Sequence, residues 1–163
     1  MNADRKQQLK EFTDWATAQL TEMGRYAQEM KIIPQEVTAK AFWVLPNKIC
    51  IGKVWPKHDP VHSFWVITGD LTTDHFEASA AATAREAARH FALRWQLHSA
   101  QLTQGLKDAT ESEVDWQKVG AELAERAEYL YTLIQDDELW KYAIDPAATA
   151  EIAGNSGDSS ESA

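Results

Sequence analysis

The stretch "HSFWVITGDLTTDHFEAS", from His62 to Ser79, opens apolar and closes on side chains that could do chemistry. Asp70 and Asp74 supply two carboxylates, Thr73 a hydroxyl, and His75 a ring that titrates near neutral pH. Arg85 and Arg89 follow, one helical turn apart, and either could pair with a carboxylate or reach a bound anion through directional, charge-assisted bonds. Together these residues outline a small polar pocket where a strand meets a helix. Acid–base catalysis would require two carboxylates with well-separated pKa values, and nothing in the sequence separates Asp70 from Asp74. The same residues also have structural work. Gly69-Asp70 reads as a strand exit, where glycine permits unusual backbone angles. Asp74 stands three residues before Glu77, the spacing of a capping box. Ser79 can cap a following helix, and Thr72 and Thr73 can bond nearby backbone. Caps of this kind are common, so the segment is expected to be a turn and helix cap rather than a catalytic centre.

Other chemistries find less support. His58, Asp59, His62 and His75 are metal-ligating residue types, but their spacing matches no zinc signature, and neither a metal nor a cofactor is expected. His90 and His98 fall on a helix, His98 near its apolar stripe and expected to be partly buried. Cys50 is the single cysteine, so no internal disulfide can form; mid-strand, it should behave as a small hydrophobe. There is no G-x-S-x-G elbow and no glycine-rich phosphate loop. No residue is assigned a catalytic role.

The elements that must position these groups follow from periodicity. Asp4 to Met23 reads as an amphipathic helix with a stripe of Leu9, Phe12, Ala16, Leu20 and Met23, stopped by Gly24, with a further break at Pro34. "VTAKAFWVL", "KICIGKVW" and "HSFWVIT" read as three strands, joined by a Pro46-Asn47 turn and by "PKHDP". Such short connections favour antiparallel pairing. The third strand is apolar enough to be covered on both faces. Ala78 to Gln104 reads as a long helix ending at Gly105, with a stripe of Ala84, Ala88, Phe91, Trp95 and Leu102. Leu93 and Leu97 lie nearly opposite that stripe, which points to a second layer or a partner. Asp115 to Gln135 reads as an acidic amphipathic helix carrying Trp116, Val119, Leu123, Ala127, Leu130 and Ile134. A last turn, "DDELWKYA", is expected to add Leu139, Trp140 and Tyr142 to the core. The expected fold is thus α+β in the order α-β-β-β-α-α: an antiparallel three-stranded meander packed against helices, the second long helix forming the inner layer. Residues 1–144 are expected to form a single compact domain, and 145–163 an acidic, disordered tail.

Composition sets further bounds. The chain has 163 residues, 44% of them hydrophobic and 25% charged, ordinary values for a globular domain. No apolar run approaches the roughly 20 residues needed to cross a bilayer, so no membrane association is expected. "MNADRKQQLKEF" lacks the apolar region of a secretory signal, and a cytoplasmic location is the simplest expectation. The net charge of −9 argues against nucleic-acid binding, which needs a basic footprint. Charge is unevenly placed, with five lysines against one acid from Lys31 to Lys57 and ten acids against three bases from Leu106 to Glu138. The lysines suit the protection of exposed strand edges. The seven tryptophans are many for this length, and tryptophan fills cores and dominates interfaces alike. Trp95 and Trp116 fit helix stripes and are expected in the core. Trp55, beside Lys53 and Pro56, is the candidate for exposure and for contact with a protein partner.

"FWVITGDLTTDHF" followed by "REAARHFALRW" resembles a family of small bacterial proteins catalogued only as a domain of unknown function. The residues that carry the resemblance are Trp65, Val66, Ile67, Gly69, Asp70, Leu71, Thr73 and Asp74, then Arg85, Glu86, Ala87, Phe91 and Trp95. The sequence departs at Thr72, where the family pattern suggests proline, and at His75, where it suggests tyrosine. The resemblance implies a bacterial origin and a compact α+β domain, and no activity.

The functional expectation is a non-catalytic cytoplasmic interaction module, of adaptor, immunity-like or chaperone-like character, with Leu93 and Leu97 suited to a homodimer. The alternative is a small enzyme or ligand-binding domain with a polar pocket around Asp70, Thr73, Asp74 and Arg85, His75 contributing.

Overall fold

The computed structural model of the chain describes residues 2–105 and 115–146, so the expected tail from residue 147 onward lies outside the described residues. Helix α1 spans Ala3–Glu29, its N-terminus capped by the Asn2 side chain, which accepts from the Arg5 amide. It runs straight through Gly24, where the sequence predicts a stop. A mid-helix glycine costs only about 1 kcal/mol relative to alanine. Burial of Met23 and Ala27 on either side of it outweighs that cost. The helix instead ends in a Schellman motif. The Ile32 amide donates to the Ala27 carbonyl and the Lys31 amide to Gln28, with Lys31 at φ 58° in the position glycine usually takes.

Four strands follow: β1 (Val37–Leu45), β2 (Ile49–Pro56), β3 (Phe64–Gly69) and β4 (Asp74–Glu77), paired antiparallel in sequence order. The expected three-stranded meander therefore has a fourth member, in the segment read as a helix cap. Its alternation explains why. Phe76 pairs with Trp65 and is buried on one face, while His75 pairs with Val66 and turns to the other. The capping box belongs further along. A single 3-10 turn covers Ala78–Ala80, and α2 spans Ala84–Gly105. Thr83 accepts the Glu86 amide, and Glu86 accepts the Ala82 amide. Helix α3 spans Trp116–Ile134, capped by Asp115, and a 3-10 turn covers Asp137–Trp140. The class is α+β, with an antiparallel sheet and three helices. No helix among the described residues is long and apolar enough to cross a membrane.

The sheet is covered on both faces. Ile49, Ile51, Trp65, Ile67 and Phe76 meet α2, and Leu123, Ala127, Leu130 and Ile134 of α3 join the same core. Cys50, Val54 and Val66 meet Met23, Ala27 and Ile33 from α1 and the turn after it. The two-sided covering expected for the third strand is present. A bulge in β1 between Ala41 and Trp43 brings Phe42 and Trp43 into the core shared with α2. Trp43 stacks on Trp140 at 4.0 Å, and the two indole N–H groups donate to the Leu139 and Leu133 carbonyls. Trp140 is thus core, as expected, whereas Tyr142 is 91% exposed and Trp116 is on the surface at 36%. Both depart from the sequence reading. Trp116 stands at the first turn of α3, beyond the buried part of its stripe. Ile144 still donates its amide to the Phe42 carbonyl.

Gly69 has φ 118°, and a Cβ there would fall 2.2 Å from the Lys48 carbonyl oxygen, so the strand exit admits only glycine. One residue earlier, the Thr68 hydroxyl is wholly buried with no hydrogen-bond partner among the described residues. An unmade buried hydrogen bond is costly, and an isosteric apolar replacement recovers that cost. Thr68→Val is predicted to raise stability by about 1 kcal/mol in a urea melt; a lower midpoint would show that the hydroxyl is paired after all.

Candidate functional site

The β3–β4 connection faces α2 from Arg94 onward, and a cleft of about 470 Å³ opens between that connection, α2 and α3. Thr72, Thr73 and Asp74 form one wall, Arg94, Trp95, Leu97, His98 and Gln101 the other, and Leu123 closes it from α3. Asp74 is the centre of its bonding. One carboxylate oxygen accepts the Trp95 Nε1–H at 3.1 Å, and the other accepts the His75 amide at 2.8 Å. Arg94 stands 3.7 Å from Asp74 while donating to the His75 carbonyl at 2.8 Å. At the rim, Arg126 of α3 donates to the Thr72 hydroxyl at 2.8 Å. Apart from the Asp74–His75 bond within β4, these contacts join β4 and the turn before it to α2 and α3.

The structure divides the candidate residues. Thr73 and Asp74 line the cleft. Asp70 lies outside it, its amide bonded to the Lys48 carbonyl and its exposed carboxylate 4.0 Å from Lys48 Nζ. Arg85 reaches neither aspartate. It donates to the Ile134 carbonyl and to Asp137 at 2.6 Å, tying the end of α3 to the start of α2. Arg89 is exposed and away from the cleft, and Trp55, paired with Thr38, is partly covered on β2. His98 is exposed in the cleft wall rather than partly buried as the stripe suggested. Sequence reasoning missed Arg94, His98 and Arg126. A signal existed in Arg94 and His98, four residues apart on the face of α2 that also carries Leu97. Arg126 and Lys118 are the two bases on a helix with three glutamates, but the Arg126 partner Thr72 is 54 residues away and no local pattern links them.

His75 points to the opposite face of the sheet, where its Nδ1 and the Tyr26 hydroxyl of α1 share a hydrogen bond of 2.8 Å. Burial holds the ring below the ordinary histidine range, and Arg94 pushes the same way against the opposing pull of Asp74. Burial likewise raises the Cys50 thiol to about 12, which leaves it unreactive at neutral pH. Lys53 is lowered by burial, its ammonium 4.7 Å above the Trp65 ring. Among the described residues no three His, Cys, Asp or Glu side chains converge in a way that could hold a metal ion. A second groove, of about 480 Å³ between α1 and β1, is more open, and Arg25 on its wall is held by Glu22 and Glu29.

A four-stranded antiparallel sheet between helices, with a cleft at one end of its edge strand, defines a small α+β domain. The chain belongs to the family described as a domain of unknown function (DUF4826), whose model matches residues 8–140. This agrees with the resemblance read from the strand, turn and helix around Gly69. No curated protein and no solved structure matches the chain.

The depressed His75 sets a direction for stability against pH. The unfolded chain takes up a proton on this ring as pH falls through about 6.5, while the folded chain resists it until lower pH. Stability contributed by the neutral ring is therefore present above about pH 7 and is lost as pH falls through that window. His75→Gln is predicted to lose less stability than the parent between about pH 7.5 and about pH 5.5 in urea melts; equal losses would show that His75 is not the group responsible.

Proposed function

We propose that the chain is a non-catalytic, cytoplasmic protein-interaction module that receives its partner in the cleft between the β3–β4 connection, α2 and α3. The observation that carries this reading is the state of Asp74. Among the described residues it is the one carboxylate lining the cleft, and its oxygens accept from the Trp95 indole and the His75 amide, beside Arg94. A carboxylate so engaged is a structural tie, poorly suited to shuttle protons. The walls beyond it offer apolar and aromatic contact area. Leu97 is 56% exposed in the cleft wall, and Leu93, one turn earlier, is 55% exposed beside it. Exposed leucines one turn apart next to a concavity suit a partner surface. Self-association through the same leucines is the second reading, because they form one continuous apolar strip on α2.

Leu97→Asp tests both. The variant is predicted to keep the parent's melting temperature, since Leu97 is exposed, and to lose at least tenfold in affinity for any partner whose binding protects the α2 amides from hydrogen exchange. Sedimentation velocity of the parent and variant reads the homodimer separately. A partner that binds the variant as tightly as the parent would remove the cleft from the interaction.

A further inference from the structure

The cleft carries a charge pattern that narrows what it takes. Among the described residues, Arg94 and His98 stand on its α2 wall and Arg126 at its rim, against Asp74 as the one acid lining it. The acids of α3 do not line it, Leu123 being the α3 residue that does. Asp74 already accepts one hydrogen bond on each oxygen, from Trp95 and His75, and stands beside the Arg94 charge, which weakens its pull on an entering cation. The arginines are in the reverse condition. A guanidinium has five N–H donors. Arg94 spends one on the His75 carbonyl, and its approach to Asp74, at 3.7 Å, is too long for a hydrogen bond. Arg126 spends one on Thr72, whose hydroxyl proton remains free to point into the cleft while its oxygen accepts. Donors from two helices and one turn thus surround a floor made by Trp95 and Leu123. A volume of about 470 Å³ lies in the range of pockets that enclose one small ligand or a pair of side chains.

We infer that the cleft recognises a short peptide segment of the partner in which one carboxylate side chain lies beside an aromatic or aliphatic one. The carboxylate meets Arg94, Arg126 and the threonine hydroxyls, and the apolar neighbour seats on Trp95, Leu97 and Leu123. This rests on the interaction-module reading and adds the chemistry of the partner to it. The favoured segment carries a single acid among apolar residues. The chain's net charge of −9 opposes a run of acids at long range, whereas one desolvated carboxylate gains from the local donors.

The test is an NMR titration of the full chain labelled with ¹⁵N, following the Trp95 indole N–H and the amides of Thr72 and Thr73. The probes are three blocked pentapeptides, Ala-Leu-Glu-Phe-Ala and its Gln and Lys counterparts, together with acetate and inorganic phosphate. The Glu peptide is expected to shift these resonances saturably, the Gln peptide to bind about tenfold more weakly, and the Lys peptide to leave them in place. Arg126→Gln and Arg94→Lys should each weaken the Glu peptide about fivefold and leave the Gln peptide unchanged, the unaltered Gln-peptide affinity showing that the cleft itself is intact in each variant. Glu and Gln peptides binding alike, or the Glu peptide indifferent to Arg126→Gln, would overturn the carboxylate inference while leaving a docking cleft intact. Acetate or phosphate shifting the same resonances as tightly as the Glu peptide would overturn the peptide as the source of the anion. If no peptide moves any cleft resonance, both the inference and the interaction reading of this cleft fall.

Discussion

The structure turns on one contact, the hydrogen bond from the Trp95 indole to the Asp74 carboxylate. β4 is an edge strand of four residues, paired on one side only, and so short a strand is not stable by its ladder alone. Asp74 lies at its start and fixes it twice, to its own next amide and across to α2. Phe76, two residues on, then packs against Phe91 at 4.7 Å. Arg94 braces the same strand through the His75 carbonyl. Once β4 is pinned, the preceding Thr72 and Thr73 face α2 across the cleft, which is the space they leave. The edge of the sheet and the wall of the candidate site are therefore one feature, made by the same bonds.

Electrostatics follow from that arrangement. Asp74 is committed to neighbours inside the fold, so the negative charge nearest the cleft is already answered, and the arginines around it keep unspent donors. The tryptophans tell a similar story. Trp43, Trp65, Trp95 and Trp140 are all buried, and each directs its indole N–H to a carbonyl or a carboxylate. These four answer to the core, whereas Trp15 and Trp55 are partly covered and Trp116 is on the surface. Leu93 and Leu97 are exposed, as the helical periodicity, which set them apart from the buried stripe, led one to expect.

Much of the architecture was readable from the sequence because it is encoded locally. The Pro46-Asn47 turn, the two-sided third strand, the later part of the α3 stripe and the glycine at the strand exit each rest on a few adjacent residues. The misreadings have one kind of cause, in which a long-range contact overrides a local signal. Gly24 looks like a helix stop, yet burial of Met23 and Ala27 carries the helix past it to a lysine that takes a glycine's backbone angles. Asp74 and Glu77 look like a capping box, yet pairing with β3 makes them a strand, and Thr83 with Glu86 caps the helix instead. The candidate site failed and succeeded in the same way. Thr73 and Asp74 were found because they adjoin the turn. Arg85 was grouped with them by proximity in sequence, whereas it closes on Ile134 and Asp137, and Arg126 arrives from a helix that no local pattern ties to Thr72.

A double-mutant cycle of Asp74→Asn and Trp95→Phe, read by chemical denaturation, addresses the central contact most directly. The account predicts that the two substitutions are coupled by on the order of 1–2 kcal/mol, with loss of hydrogen-exchange protection confined to β4 and the Thr72 to Thr73 segment. Additive effects with protection of β4 unchanged would contradict it.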